Sequence, residues 1–470
     1  MGEGLERGLR AHHRRRLAKL GWGRVFDASP EGWAAGSPPP RPGNSVEVLI
    51  DGKDAFSAMA DAIRGARSHV HVAGWHALPD FALRRDGQAT KLYDLLETAA
   101  RAAEVRLLLW AGAPVPPPLT PSRRLVRASA QQFGRQGDIA VALDARERLL
   151  HCHHEKVLVV DDEVAFVGGL DFTRLGGDRL DDRAHRERGS TGWHDVATRL
   201  RGPVVADVAH HFSMRWAEVT RSSLAKSDAP AGSGDVTAQI VRTIPEKIYE
   251  AVPRGDFRIL ETFLGMLRSA QRFIYLENQF LWSSEIVRIL ADKLRDPPSE
   301  DFRLLLLLPA KPSTGSDDTL GQLAVLAEAD EGRNRFQACT LYASGGREPS
   351  PIYVHAKVTV IDDRWLMIGS ANLNNHSLFN DTEVNVVVED PDLARSTRQR
   401  LWAEHLECSH EEVQAEVADL YEEKWMPIAH AQMERREQGL PLSHRLVRLP
   451  HVSKRSKRLL GPLQTLVVDG

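Results

Sequence analysis

The chain has 470 residues, longer than one typical domain, and its 42% hydrophobic content is enough for a sizeable core. Lys plus Arg at 61 against Asp plus Glu at 64 gives a net charge of −3, which argues against a nonspecific nucleic-acid binder with its strong positive excess. Three cysteines make no disulfide framework, an odd count that fits a reducing compartment, and neither a signal-type leader nor a run of about eighteen apolar residues is present, so a cytoplasmic protein without a membrane span is expected.

Residues 1–45 read as a tail, basic at Arg14 to Arg16 and Pro-rich from Ser37 to Pro42. A first half spans 46–221. In it a helix-period stretch, Asp54 to Arg67, precedes a strand from His69 to Trp75 and another from Val105 to Trp110. Pro114 to Pro121 suggests an irregular loop, and Lys156 to Phe166 reads as a hairpin. Ser222 to Asp235, polar and rich in small residues, is a linker. The second half, 236–426, repeats the order: helix Phe257 to Ser269, strands Phe273 to Gln279 and Phe302 to Leu308, hairpin Lys357 to Ile368. Residues 427–470 form a basic carboxy-terminal extension carrying Arg445, Arg448, Lys454, Arg455, Lys457 and Arg458, which reads either as a solvated tail or as a patch for anionic lipid. Strands alternating with helices predict the α/β class, as two similar α-β-α sandwich halves related by a pseudo-twofold axis.

Each hairpin opens on the same spacing. His154, Lys156 and Asp161 stand in His-Glu-Lys-Val-Leu-Val-Val-Asp, and His355, Lys357 and Asp362 in His-Ala-Lys-Val-Thr-Val-Ile-Asp. Residues two apart on a strand share a face, so one imidazole and one ammonium can meet the same ligand. Two histidines with two lysines suit a two-step displacement at phosphorus. One imidazole attacks, the other protonates the departing alkoxide, and the lysines offset charge on the phosphoryl oxygens. The lysines supply the electrostatics a metal would provide, so no metal and no cofactor is assigned. Cys152 among His151, His153 and His154 invites a metal reading, but neighbouring strand residues face opposite ways. Asp161 and Asp362 complete the motifs and are counted with the catalytic set, but each begins an Asp-Asp pair between two apolar stretches, which favours a turn-forming role over direct chemistry. The small residues Gly169 and Ser370 would let a phosphate approach the backbone, while Asp171 and Asn372 would orient their neighbours.

These paired motifs resemble the phospholipase D superfamily, whose members carry two such motifs in one active site. Further likeness lies in Ile274-Tyr275-Leu276-Glu277-Asn278-Gln279-Phe280, in Trp193-His194-Asp195 followed by Phe212, Arg215 and Trp216, in Gly369 to Ser377, and in Asp51 to Asp54 with Gly74-Trp75. The resemblance implies that an acidic residue downstream of each motif orients its histidine: Asp195 for the first and Glu383 for the second. It also implies a phosphohistidine intermediate, on His154 by likeness to bacterial relatives, with His355 as the acid. Asn375-His376 departs from the family's usual Asp-Arg, so no arginine is expected there. The substrate class implied is a glycerophospholipid of the phosphatidylcholine or phosphatidylethanolamine type, met at a membrane surface and cleaved to phosphatidate and a free headgroup. Alternatives are phosphatidyl transfer, as in cardiolipin or phosphatidylserine synthesis, and a nuclease on the same fold.

Overall fold

The computed structural model describes residues 2–85, 87, 89–114, 121–148, 151–186, 191–225, 228–313, 316–343 and 350–450. Seven strands make the sheet of the first half: β1 (Arg41–Ile50), β2 (His69–Gly74), β3 (Glu104–Trp110), β4 (Ile139–Asp144), β5 (Val157–Val160), β6 (Val164–Gly168) and β7 (Val196–Arg201). Their order across the sheet is β1-β7-β6-β5-β2-β3-β4, with only β2-β3-β4 parallel. The second half supplies β8 (Val236–Ile244), β9 (Phe273–Glu277), β10 (Arg303–Leu307), β11 (Phe336–Ala343), β12 (Val358–Ile361), β13 (Trp365–Gly369) and β14 (Glu383–Glu389). Their order, β8-β14-β13-β12-β9-β10-β11, is the same arrangement again. The internal repeat therefore extends from motif to topology.

The strands are apolar on both faces because both faces are covered. Helices α2 (Asp51–Arg64) and α3 (Leu92–Ala100) bury residues such as Phe56, Ile63 and Leu96 against one side of the first sheet. Helices α6 (Arg258–Ser269) and α7 (Ser284–Arg295) do the same for the second. The largest core lies between the sheets, where Val159 and Val196 of the first and Tyr275 and Val386 of the second meet α5 (Val205–Thr220) and α9 (Pro391–His405). Asp390 caps α9 by accepting the Leu393 N–H, and Pro391 opens its first turn. The halves are further stitched by β1, whose start pairs with β8, and by Tyr353-Val354 running parallel to Trp193-His194.

Both ends of the chain differ from the tails the composition suggests. Gly2–Lys19 is a helix, and its basic run is paired: Arg14 donates to Glu285 at 3.0 and 2.9 Å, and Arg16 to Glu246 at 2.6 Å. Beyond Pro427, Met426–Glu437 is helical and Leu446–Arg448 adds a strand antiparallel to β11. Arg445 is buried with Glu407 beside it, whereas Lys454, Arg455, Lys457 and Arg458 lie outside the described residues, as does most of the Pro114 to Pro121 loop. No helix among the described residues is long and apolar enough to cross a membrane.

Candidate active site

Both motif histidines lie just before their strands rather than on them, in the extended lead-ins to β5 and β12. What holds each lead-in comes from the opposite half. The His154 and Glu155 amides donate to the Thr382 carbonyl at 2.9 and 3.1 Å, and the His355 and Ala356 amides donate to the His194 carbonyl at 2.8 and 3.1 Å. Each acceptor immediately precedes an acidic residue, so the crossing carries a carboxylate to each imidazole. His154 Nδ1 donates to Glu383 Oε1 at 3.0 Å, and His355 Nδ1 donates to Asp195 Oδ2 at 2.6 Å.

The carboxylates are thus exchanged relative to the motif order: Asp195 serves His355 and Glu383 serves His154. The physical reason is that each lead-in is anchored on a carbonyl of the other half, so the carboxylate of the residue that follows belongs to that half. An acceptor at Nδ1 fixes the tautomer that leaves Nε2 for chemistry.

Gly169 and Ser370 lie against these carboxylates. A Cβ at Gly169 would lie 2.1 Å from Asp195 Oδ1, so only glycine leaves room for that carboxylate. Ser370 Oγ donates to Glu383 Oε2 at 2.5 Å, and Ser377 Oγ donates to Oε1 at 2.6 Å. Asp171 receives Lys156 Nζ at 3.1 Å and the Trp75 amide at 3.0 Å. In the second half Gln279 takes that place, its Oε1 accepting from Lys357 Nζ at 3.4 Å and from Asn372 Nδ2 at 3.5 Å.

Asp161 and Asp362 stand apart. Each lies at the far end of its motif strand, roughly 13 Å along four residues at about 3.3 Å each. Asp161 accepts the amides of Arg67, Ser68 and His69 at 2.7 to 2.9 Å, and Asp362 those of Gln271, Arg272 and Phe273 at 2.7 to 2.8 Å. Both have positive φ, 55° and 57°. They brace turns, a role an Asx side chain fits and a catalytic one does not need.

Arg179 is the residue that sequence reading missed. It is 3% exposed, its guanidinium lies 3.7 Å over the Trp193 ring, and its Nε and Nη1 have no hydrogen-bond partner. Trp193 in turn packs on His355, ring centroids 4.4 Å apart. Nothing local signals this arginine, which sits in the loop after the β5-β6 hairpin. In the departure at Asn375-His376, His376 Nδ1 lies 3.1 Å from His151 Nδ1. Cys152 packs instead with Trp75, Trp110 and Ala113.

The charges of the two halves act on one another. Burial, then Lys357, Arg179, Lys156 and His154, holds the His355 imidazole well below its ordinary pKa of 6.5. Burial raises the Asp195 carboxyl from 3.8 against the opposing pull of Lys357, the Val196 amide and Arg179. Burial likewise lowers the Arg179 pKa against the pull of Asp171 and Asp195. Two imidazoles, two ammonium groups and a guanidinium thus lie within electrostatic reach of one another, with Asp171 and Asp195 among them.

Residues 263–404 match the family model of the cardiolipin synthase, PLD-like domain. Phospholipase D2 of Bos taurus is 25% identical, the match taking in 76% of this chain and 51% of that protein. Cardiolipin synthase of Oceanobacillus iheyensis is 22% identical over 74% of this chain and 66% of that one. The chain thus spans about half the length of the bovine protein. Among solved structures, phosphatidylserine synthase of Haemophilus influenzae Rd KW20 superposes with a TM-score of 0.52 at 12% identity, covering 79% of this chain and 89% of that one, a likeness of fold.

Proposed function

Because the chain belongs to the phospholipase D superfamily, we propose that it is a phospholipase D that hydrolyses glycerophospholipids through a phosphohistidine. The observation that carries this reading is the pair of buried histidine–carboxylate contacts exchanged between the halves, His154 with Glu383 and His355 with Asp195. His154 Nε2 attacks phosphorus, the bond from phosphorus to the headgroup oxygen breaks, and His355 Nε2 gives that oxygen its proton. Water then attacks the phosphohistidine, losing its proton to His355 as the phosphorus–nitrogen bond breaks and phosphatidate leaves. Lys156, Lys357 and Arg179 bind the phosphoryl oxygens and stabilise their charge in both transition states. Burial and the surrounding cations both press the His355 pKa down in the free protein, and a bound phosphodiester anion offsets the cations, favouring the proton that His355 must deliver.

A second reading, phosphatidyl transfer to an alcohol, is favoured by the cardiolipin synthase match and shares the intermediate. Mixed phospholipid vesicles with ethanol separate the two. Phosphatidate with released headgroup is the expected main product, and phosphatidylethanol would report transfer. No lipid conversion by a protein that cleaves bis(p-nitrophenyl) phosphate would overturn the lipid substrate while leaving the phosphodiesterase intact.

A further inference from the structure

A second buried cluster lies behind the Asp195 side of the site. Asp51 at the start of α2, His185, His194 and Glu404 on α9 each bring one ligand atom within 4.8 Å of the others, and none of the four is more than 4% exposed. His185 Nε2 is 3.2 Å from Asp51 Oδ2 and 3.2 Å from Glu404 Oε1. His194 Nδ1 is 2.9 Å from Asp51 Oδ1 and 3.4 Å from Glu404 Oε1. Each of these nitrogens therefore faces two carboxylates at once, although a ring nitrogen has at most one proton to give. Asp51 Oδ2 accepts no hydrogen bond.

Four ligands placed tetrahedrally about 2.0–2.1 Å from a zinc ion are about 3.3–3.4 Å from one another, close to the four nitrogen–oxygen separations of 2.9 to 3.4 Å, while all four ligand atoms lie within 4.8 Å. The outer nitrogens complete the pattern. His185 Nδ1 donates to Asp181 Oδ2 at 3.0 Å, and His194 Nε2 to Glu277 Oε2 at 2.9 Å. Metal-bound histidines pass their other N–H to a carboxylate in this way, fixing ring orientation and raising ligand basicity. Glu277 is itself held by His405 Nε2 at 3.0 Å and by the Tyr275 hydroxyl at 2.5 Å. From the solvent side Arg183 approaches Glu404 Oε2 at 3.6 Å. With a metal bound both imidazoles are neutral, so the four ligands then carry a charge of about −2, which one divalent cation cancels.

We propose that Asp51, His185, His194 and Glu404 form a closed structural site for zinc that clamps the two halves together. Three ligands come from the first half and one from the second. Four protein ligands leave no open position, so the ion takes no part in phosphoryl transfer. It fixes the residue whose carbonyl anchors His355 and whose successor, Asp195, orients it.

The test is elemental analysis of the whole protein, purified without chelator or metal-affinity resin, together with cobalt exchange. About one zinc per chain is expected, replaced by cobalt with the intense visible absorption of tetrahedral coordination. His185→Gln and Glu404→Gln should lose the ion and melt at lower temperature. If those variants do not fold, the cobalt spectrum of the unaltered protein still decides. Metal-free protein that takes up no cobalt, an octahedral cobalt spectrum, or full zinc content in both folded variants would overturn the site. The first of these outcomes would leave a hydrogen-bonded ion-pair network in its place.

Discussion

At the scale of the residue, the exchanged carboxylates make a demand that the motif order alone would reverse. A p-nitrophenyl phosphodiester releases a phenolate that needs no proton, so it rescues a variant lacking the acid but not one lacking the nucleophile. On lipid, His154→Ala and His355→Ala should each lose about 10³-fold or more in kcat. On the activated ester His355→Ala should recover its first turnover, a burst of phenolate as His154 is phosphorylated, with hydrolysis of the phosphohistidine still slow for want of the base, and His154→Ala should show no burst. Asp195→Asn should follow His355→Ala, because Asp195 holds that ring, and Glu383→Gln should follow His154→Ala. Recovery of His154→Ala alone would exchange the two histidine roles, and Asp195→Asn tracking His154→Ala would refute the crossed pairing. Arg179 carries a separate expectation. Two of its nitrogens have no hydrogen-bond partner, and in the proposed mechanism they bind the phosphoryl oxygens, so Arg179→Met should lower kcat/KM about 10²-fold with an unchanged melting temperature. Arg179→Lys, which keeps the charge without the fork, should recover only part of that loss.

At the scale of the element, each motif hairpin sets the His and Lys of the proposed chemistry at one end of a strand and a turn-bracing Asp at the other. The leading end of β5 presents His154 and Lys156, whereas its trailing Asp161 ties three amides of the chain entering β2. Asp362 does the same ahead of β9. Asp161→Ala should therefore cost about 1–3 kcal/mol of stability per lost set of amide contacts while kcat of the folded fraction stays close to that of the unaltered protein. Urea titration beside turnover at low temperature checks this. A fall in kcat comparable to that of Lys156→Ala, without loss of stability, would return Asp161 to the catalytic set.

At the scale of the whole molecule, the halves share buried charge. Arg215 on α5 donates to Asp144 Oδ2 at 2.7 Å and to the Tyr249 hydroxyl at 2.8 Å, and it pairs with Glu155, which also receives His211 at 2.7 Å. Tyr249 belongs to the second half, so this network crosses the junction. Burial opposes ionisation of Glu155, but Arg215 and His211 outweigh it and hold the carboxyl down from 4.5 to about 2. A carboxyl depressed in the folded state stabilises above its unfolded pKa, so that stability is intact above pH 4.5 and is lost as pH falls toward 2. Melting curves over this range should show a shallower decline for Glu155→Gln, from a lower starting stability. Arg215→Met should cost about 3–5 kcal/mol at neutral pH by stranding two buried carboxylates. Two similar halves, their strands and helices, and both His-Lys pairs were legible in the sequence, because periodicity and motif spacing are local properties repeated twice. Which carboxylate serves which histidine was not, since it depends on the hydrogen bonds that anchor each lead-in on the other half. Arg179 and the cluster of Asp51, His185, His194 and Glu404 were equally silent: their members are scattered along the chain, and only packing of the halves gives them a common centre. The sequence by itself determined the fold class and the two His-Lys spacings; the tertiary structure decided their partners, because those contacts join residues from opposite halves or distant loops.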